Sequence, residues 1–401
     1  MRTLTVTIFT LCWLLAQLGL AQQAEKVVSP VKERHDSDWY EKQADAWNKE
    51  IKKNRKNEEA WENYYRATRY SLEMSGSDKS STEINTKLGD IIAQMERAIP
   101  NTFTFNLMKY VYHAGDLAYG GYMAKAISMR PDDVSRYPDY VAYLMISRND
   151  SLLSKTCRKW YESGEYSPSL MNYSYNELSG MEDKGIIFTN GDASVFSKLL
   201  LQHGKGLFKD KKIICLSFLL CDTYVEGLEK ELGIPLFSIK KEELNKDYKD
   251  WHEAYRAVLN HFIKHTERPV YFSTTFRSAD YDFLKDSLYA EGLVFRYSKE
   301  LYDNMAVTKR NFEEVYLMDY VRETFIPDSY GASVSSFALN YVPCFHSLLA
   351  FYKQSGDRNN YTKLYNILHG IIEKTDFESD SVRQSYLDCI DLKDETYTNG
   401  D

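Results

Sequence analysis

The sequence predicts a mixed α and α/β architecture, in which tetratricopeptide-like helical repeats flank a small parallel-sheet α/β domain. Three observations predict it. Apolar residues recur at helical spacing through residues 36–183. At Lys184 the period changes to short, continuous apolar runs alternating with helical stretches, the pattern of a parallel sheet covered on both faces. Beyond residue 300 the helical spacing returns. The expected divisions are a targeting segment at 1–21, helices at 36–183, an α/β domain with about four parallel strands at 184–300, and further helices at 301–395.

The first helices are read from Trp39, Ala46, Trp47 and Ile51, which share one helix face, followed by a polar turn at Lys53 to Asn57 and a second amphipathic stretch from Ala60 to Leu72. A similar helix–turn–helix string begins at Lys125, where Pro131-Asp132-Asp133 opens the turn and Tyr137, Tyr140, Val141 and Leu144 form the next stripe. The two turns are about two repeat lengths apart, as in tetratricopeptide arrays. A non-repeating helical bundle fits the same periodicity. Ser75 to Ser81 reads as a loop. In the middle region, Gly185 to Thr189, Lys212 to Leu220, Pro269 to Thr275 and Leu293 to Tyr297 read as strands. Helices are expected at Val195 to Leu207, Tyr224 to Leu232, Tyr248 to His265 and Tyr281 to Leu288. Ser355-Gly356-Asp357 supplies the turn of a further helix pair.

Arg2 precedes an apolar stretch to about Leu20 that ends in Gly19-Leu20-Ala21, which reads as a cleavable secretory signal. A retained anchor is the competing reading, although Thr5, Thr7, Thr10 and Gln17 leave the apolar core short for a span. No later stretch reads as 18 uncharged apolar residues. The expectation is therefore an exported chain, periplasmic, outer-membrane associated or secreted, that is not an integral membrane protein once the signal is removed. Its net charge of −8 argues against nucleic acid as a partner, since such binding is mainly phosphate neutralisation by Lys and Arg. Cys157, Cys215, Cys221, Cys344 and Cys389 show no metal-finger spacing, and buried single thiols are expected. The chain carries 32 Tyr, 19 Phe and 6 Trp. At helical spacing these rings fill the seams between helices, or line a concave binding groove.

Two strings, GIIFTNGDASVFSKLLLQHGKGLFKDKKIICLSFLLCDTYVEGL from Gly185 and RPVYFSTTFRSADYDFLKDSLYAEGLVFRY from Arg268, carry a family resemblance. They resemble the soluble C-terminal part of a bacterial membrane family related to protein O-mannosyltransferases, common in Bacteroidota. In that family a many-helix membrane transferase portion precedes an FTNGD-type α/β domain and tetratricopeptide-like helices. This chain shows Ala193-Ser194 where the family carries a second acidic residue, and the multi-span portion has no counterpart in it. The resemblance implies a shared domain and an exported setting without the transferase reaction.

Ligands of an open parallel sheet sit beyond the carboxyl ends of its strands. Thr189, Asn190 and Asp192 follow the first expected strand, Asp222 and Thr223 the second, and Ser273, Thr274 and Thr275 the third. Together they make a candidate pocket for a glycan or small polar ligand, with Asp192 and Asp222 as its acid–base pair if the chain is an enzyme. The same residues also suit turns and helix N-caps. His261 and His265 share a helix face, but Phe262 stands where a zinc protease needs Glu, so no metal is expected. The string HGKGL at 203–207 carries two glycines at the expected end of a helix, a weak phosphate-binding signal. Three Asp-Ser-apolar triplets, at Asp150, Asp286 and Asp380, resemble an O-glycosylation acceptor of exported Bacteroidota proteins. No cofactor motif is present. The reading is a non-catalytic scaffold that holds a protein partner through its helical repeats; the alternative is a carbohydrate-active enzyme or glycan-assembly accessory.

Overall fold

The computed structural model describes residues 23–75, 81–237, 248, 251–276, 281–323 and 326–393. The segment expected as a signal, most of the expected Ser75 to Ser81 loop and Tyr248's two followers lie outside the described residues. The chain is mostly helical, with one small mixed sheet, and divides into two compact units, 1–132 and 133–401.

The first unit is helical. Asp36 caps α1 (Ser37–Lys53) by accepting from the Trp39 amide at 2.7 Å, and Asn57 caps α2 (Glu58–Met74) by accepting from the Ala60 amide. The expected polar turn separates them. α1 buries Tyr40, Gln43, Ala46, Trp47 and Ile51, and α2 buries Ala60, Trp61, Tyr65 and Tyr70. Ala46, Trp47 and Ile51 of the predicted stripe are therefore packed, whereas Trp39 is half-buried and stacks on His35; the buried rings here fill seams. The segment before α1 is pinned to this hairpin: Val27 N–H donates to Asn63 Oδ1 at 2.7 Å, and Trp47 Nε1 donates to the Glu25 carbonyl. α3 (Ser81–Ala98), α4 (Phe103–Tyr112) and α5 (Gly120–Met129) complete the unit.

The second unit begins with α6 (Tyr137–Ile146), α7 (Asp150–Ser163) and α8 (Pro168–Gly180). Its strands are β1 (Ile186–Thr189), β2 (Lys212–Cys215), β3 (Val270–Ser273), β4 (Leu288–Ala290) and β5 (Val294–Tyr297). Between them lie α9 (Asp192–Leu199), α10 (Asp222–Leu232) and α11 (Trp251–His265). The strand order is β2-β1-β3-β5-β4. β1 runs parallel to β2 and β3, as expected. The connection from β1 moves one way along the sheet and the return to β3 moves the other. Right-handed crossovers therefore put α9 and the α10–α11 pair on opposite faces.

The all-parallel expectation fails at the far edge. β5 is antiparallel to both β3 and β4, so the sheet has five strands and is mixed. The stretch expected as a helix at 281–288 is a 3₁₀ segment, Asp282–Ser287, too short to carry a crossover back over the sheet. A hairpin forms instead around Gly292, whose φ of +83° suits glycine. A Cβ at Gly292 would also lie 2.7 Å from the Tyr316 hydroxyl. The expected strand at 212–220 is likewise shortened, because Leu216–Phe218 turns into a 3₁₀ segment.

After the sheet come α12 (Asn304–Arg310), α13 (Asp319–Arg322), α14 (Gly331–Leu339), α15 (Tyr341–Ser355), α16 (Arg358–Glu373) and α17 (Asp380–Ile390). The α15–α16 turn falls at the predicted place, with Gly356 at a φ of +76° and Asp357 capping α16. Among the described residues, the stretch Gly331–Ser355 has the length and composition to cross a membrane, contrary to expectation. Asn340 breaks it into two helices, and α15 turns Tyr341, Phe345, Leu348, Leu349 and Tyr352 into a core shared with Leu364 and Leu368.

Candidate functional site

The carboxyl ends of β1 and β3 are the first place to look, and side-chain alternation decides what happens there. Phe188 and Phe272 stack on each other on the face that carries Phe262 of α11. Their neighbours Thr189 and Ser273 therefore point to the opposite face, toward α8 and α9. On that face Thr189 Oγ1 lies 2.5 Å from Ser194 Oγ, and Thr275 Oγ1 donates to the same Ser194 oxygen at 3.2 Å. Thr274 pairs with the Tyr173 hydroxyl, and Asn340 also donates to that hydroxyl.

At the centre of these residues is a pair that sequence reasoning missed. Lys198 on α9 and Glu177 on α8 are both fully buried, with Lys198 Nζ 2.5 Å from Glu177 Oε2. Nζ also donates to Ser194 Oγ at 2.8 Å and to the Ser194 carbonyl, which uses all three ammonium hydrogens. The second Glu177 oxygen accepts from Ser273. Burial pushes the Glu177 carboxyl up and the Lys198 amine down, and their mutual attraction opposes both shifts. A lysine beside a serine suggests a nucleophile and its base, but Ser194, like both members of the ion pair, has no exposure to a substrate. A sequence signal existed: Ser194, Ser197 and Lys198 share one helical face inside an otherwise apolar run.

The remaining expected residues lie at the rim. Asp192 and Asp222 are exposed and open α9 and α10 as the first helical residues, one position after the caps Gly191 and Cys221. Thr223 is exposed beside Asp222. Asn190 Oδ1 accepts from Ser217 Oγ at 2.7 Å, and these two, with Leu216, Trp251 and Tyr255, line a crevice of about 310 Å³. The structure thus brings buried Thr189 and half-buried Thr275 together on the Ser194 hydroxyl, ties Thr274 to Tyr173, and puts Asn190 in a separate crevice at the surface. Among the described residues no three His, Cys, Asp or Glu side chains are grouped to hold a metal. His261 hydrogen-bonds the Pro235 carbonyl at 2.7 Å, and His265 bonds the His261 carbonyl.

A larger cavity, about 770 Å³, opens at the other end of the sheet, where Lys212 begins β2. Its walls are α7, the end of α10 and the turn that follows α9. That turn explains both glycines of HGKGL. α9 continues into one π turn, Leu200–Gly204. A Cβ at Gly204 would lie 2.6 Å from Tyr161 Cβ, so only glycine lets the turn approach α7 so closely. Gly206 then takes a φ of +80°. Arg148 enters from the end of α6 with a φ of +55° and lies across Gly227, where a Cβ would be 2.8 Å from Arg148 Nε. Its guanidinium and Lys212 Nζ, at 2.6 Å, both pair with Glu231. These cations hold the Glu231 carboxyl below its ordinary range despite its partial burial. Ser154 Oγ lies 2.8 Å from His203 Nδ1, and burial pushes the His203 ring toward its neutral form. No protein-family model, curated protein or solved structure matches the chain.

Proposed function

We propose that this chain is an exported, non-catalytic interaction protein, whose tetratricopeptide-like helices hold a protein partner and whose α/β portion is a structural module. One observation carries the non-catalytic part. Where an open α/β sheet ordinarily receives its ligand, between the carboxyl ends of β1 and β3, this chain packs its own Glu177–Lys198 pair, Ser194 and Tyr173. The α1–α2 hairpin, with its capped turn and aromatic seam, supports the repeat reading, and the FTNGD-type resemblance supports the exported setting.

A second reading, glycan binding or processing at the sheet's rim, rests on the Asn190–Ser217 crevice and its ring Trp251, which is 44% exposed. Stacking of a sugar on such a ring is a common recognition device. One experiment separates the two. The mature chain is used as bait in envelope extract, alongside glycan binding by wild type, Trp251→Ala and Asp192→Asn. A specific protein partner displaced by the 23–132 fragment, with no glycan effect, supports the scaffold. No partner above an inert helical control, with a glycan activity lost in Asp192→Asn, reverses the ranking.

A further inference from the structure

The cavity at the amino end of β2 is independent of the scaffold reading and has chemistry of its own. Six of its lining residues are Arg or Lys and three are Asp or Glu, in a chain whose net charge is −8. Positive charge is concentrated where the overall field would not put it. Arg148 and Lys212 share a single carboxylate, Glu231, so that cluster retains one positive charge. Arg158, Lys205 and Lys209 also line the cavity and are exposed, and their side-chain cations have no hydrogen-bond or ion-pair partner among the described residues. A solvated lysine face would be convex. This one is concave, and its volume lies within the range of small-molecule sites.

The backbone reinforces the point. Holding Arg148 at positive φ against Gly227, and closing the Gly204–Gly206 turn on α7, are specific devices that shape this wall. Guanidinium and ammonium groups that converge on a cavity match the geometry and charge of phosphate or sulfate oxygens. The neutral His203 and Ser154 offer donors and acceptors for a polar body attached to such a group.

We propose that this cleft binds a small ligand bearing a phosphate or sulfate group, with Arg158, Lys205 and Lys209 as the mobile contacts and Arg148 and Lys212 as the fixed ones. Inorganic pyrophosphate is the probe, titrated calorimetrically into the full mature chain. Saturable binding is expected, weakening by at least about tenfold in Arg158→Ala/Lys205→Ala/Lys209→Ala and weakening further with added KCl. Lys42→Ala, in the other unit, is the control and should bind as wild type. All three cleft substitutions are at exposed positions, and an unchanged near-UV circular dichroism spectrum verifies the fold. Glucose 6-phosphate and sulfate arms then identify the source: a preference for the sugar phosphate marks a phosphorylated metabolite, and parity of sulfate with pyrophosphate marks a sulfated one. No saturable heat with any probe, or an undiminished affinity in the triple variant, overturns the proposal.

Discussion

Lys198 and Glu177 set the terms at the scale of single residues. Taking both charges out of water is costly, and the cost is met only because each is held by its partner and by serine hydroxyls. Removing one partner strands the other. Lys198→Met should therefore destabilise the second unit by about 3–5 kcal/mol, and Glu177→Leu/Lys198→Met should recover much of that loss, as read by urea denaturation. The pH dependence has a defined sign. With Lys198 gone, burial keeps the Glu177 pKa above its ordinary value of 4.5. The folded variant then binds more protons than the unfolded chain above that pH. Its stability falls as pH rises through the folded pKa and is best below about 4.5. A double variant no more stable than the single would sink the argument. The thiols follow the same logic of burial. Cys157, Cys215 and Cys344 are pushed up to about 12, so they are inert structural groups.

Elements depend on caps and turns that can be tested one at a time. Asn57 accepts from the Ala60 amide at 3.2 Å, so Asn57→Ala should cost about 1 kcal/mol in the first unit. Gly292 makes a sharper demand, since any side chain meets both the positive φ and the Tyr316 hydroxyl. Gly292→Ala should cost more than the cap, by about 1–3 kcal/mol, and should act through the β4–β5 hairpin. Thermal melts of the two variants, compared side by side, check the order. If Gly292→Ala melts with wild type, the hairpin does not depend on that turn.

Each unit of the whole molecule carries its own core. Trp61, Tyr65, Met95, Leu107 and Met108 are buried in the first, and Trp160, Phe188, Phe272, Phe345 and Tyr352 in the second. A fragment spanning residues 133–401 should therefore fold alone and unfold cooperatively, measured by circular dichroism against denaturant. A fragment with far-UV signal but no cooperative transition would show that its core is incomplete. The sequence reading put a boundary near residue 183, where the period changes. The compact units divide after residue 132, because α7 and α8 pack against the π turn and α9, and α6 meets α9 and α10, so a change in periodicity does not mark a change in core.

Most helix positions, the turns at Lys53 to Asn57 and Ser355 to Asp357, three parallel strands and the packing role of the tyrosines in the first helices were legible in the chain alone. They follow from local periodicity and from residue types whose preferences are local. The β4–β5 hairpin was not legible, because strand direction depends on whether the intervening segment can span the sheet. Nor was the fate of Thr189, Ser273 and Thr275, which look like pocket residues until α8 delivers Glu177 to them. The cleft is the same case in reverse: Arg148, Arg158, Lys205 and Lys212 are scattered in sequence, and no motif joins them. Only the packing of α7 against the Gly204 turn brings them to one cavity, since electrostatic sites are made by distances in space and not by spacing along the chain.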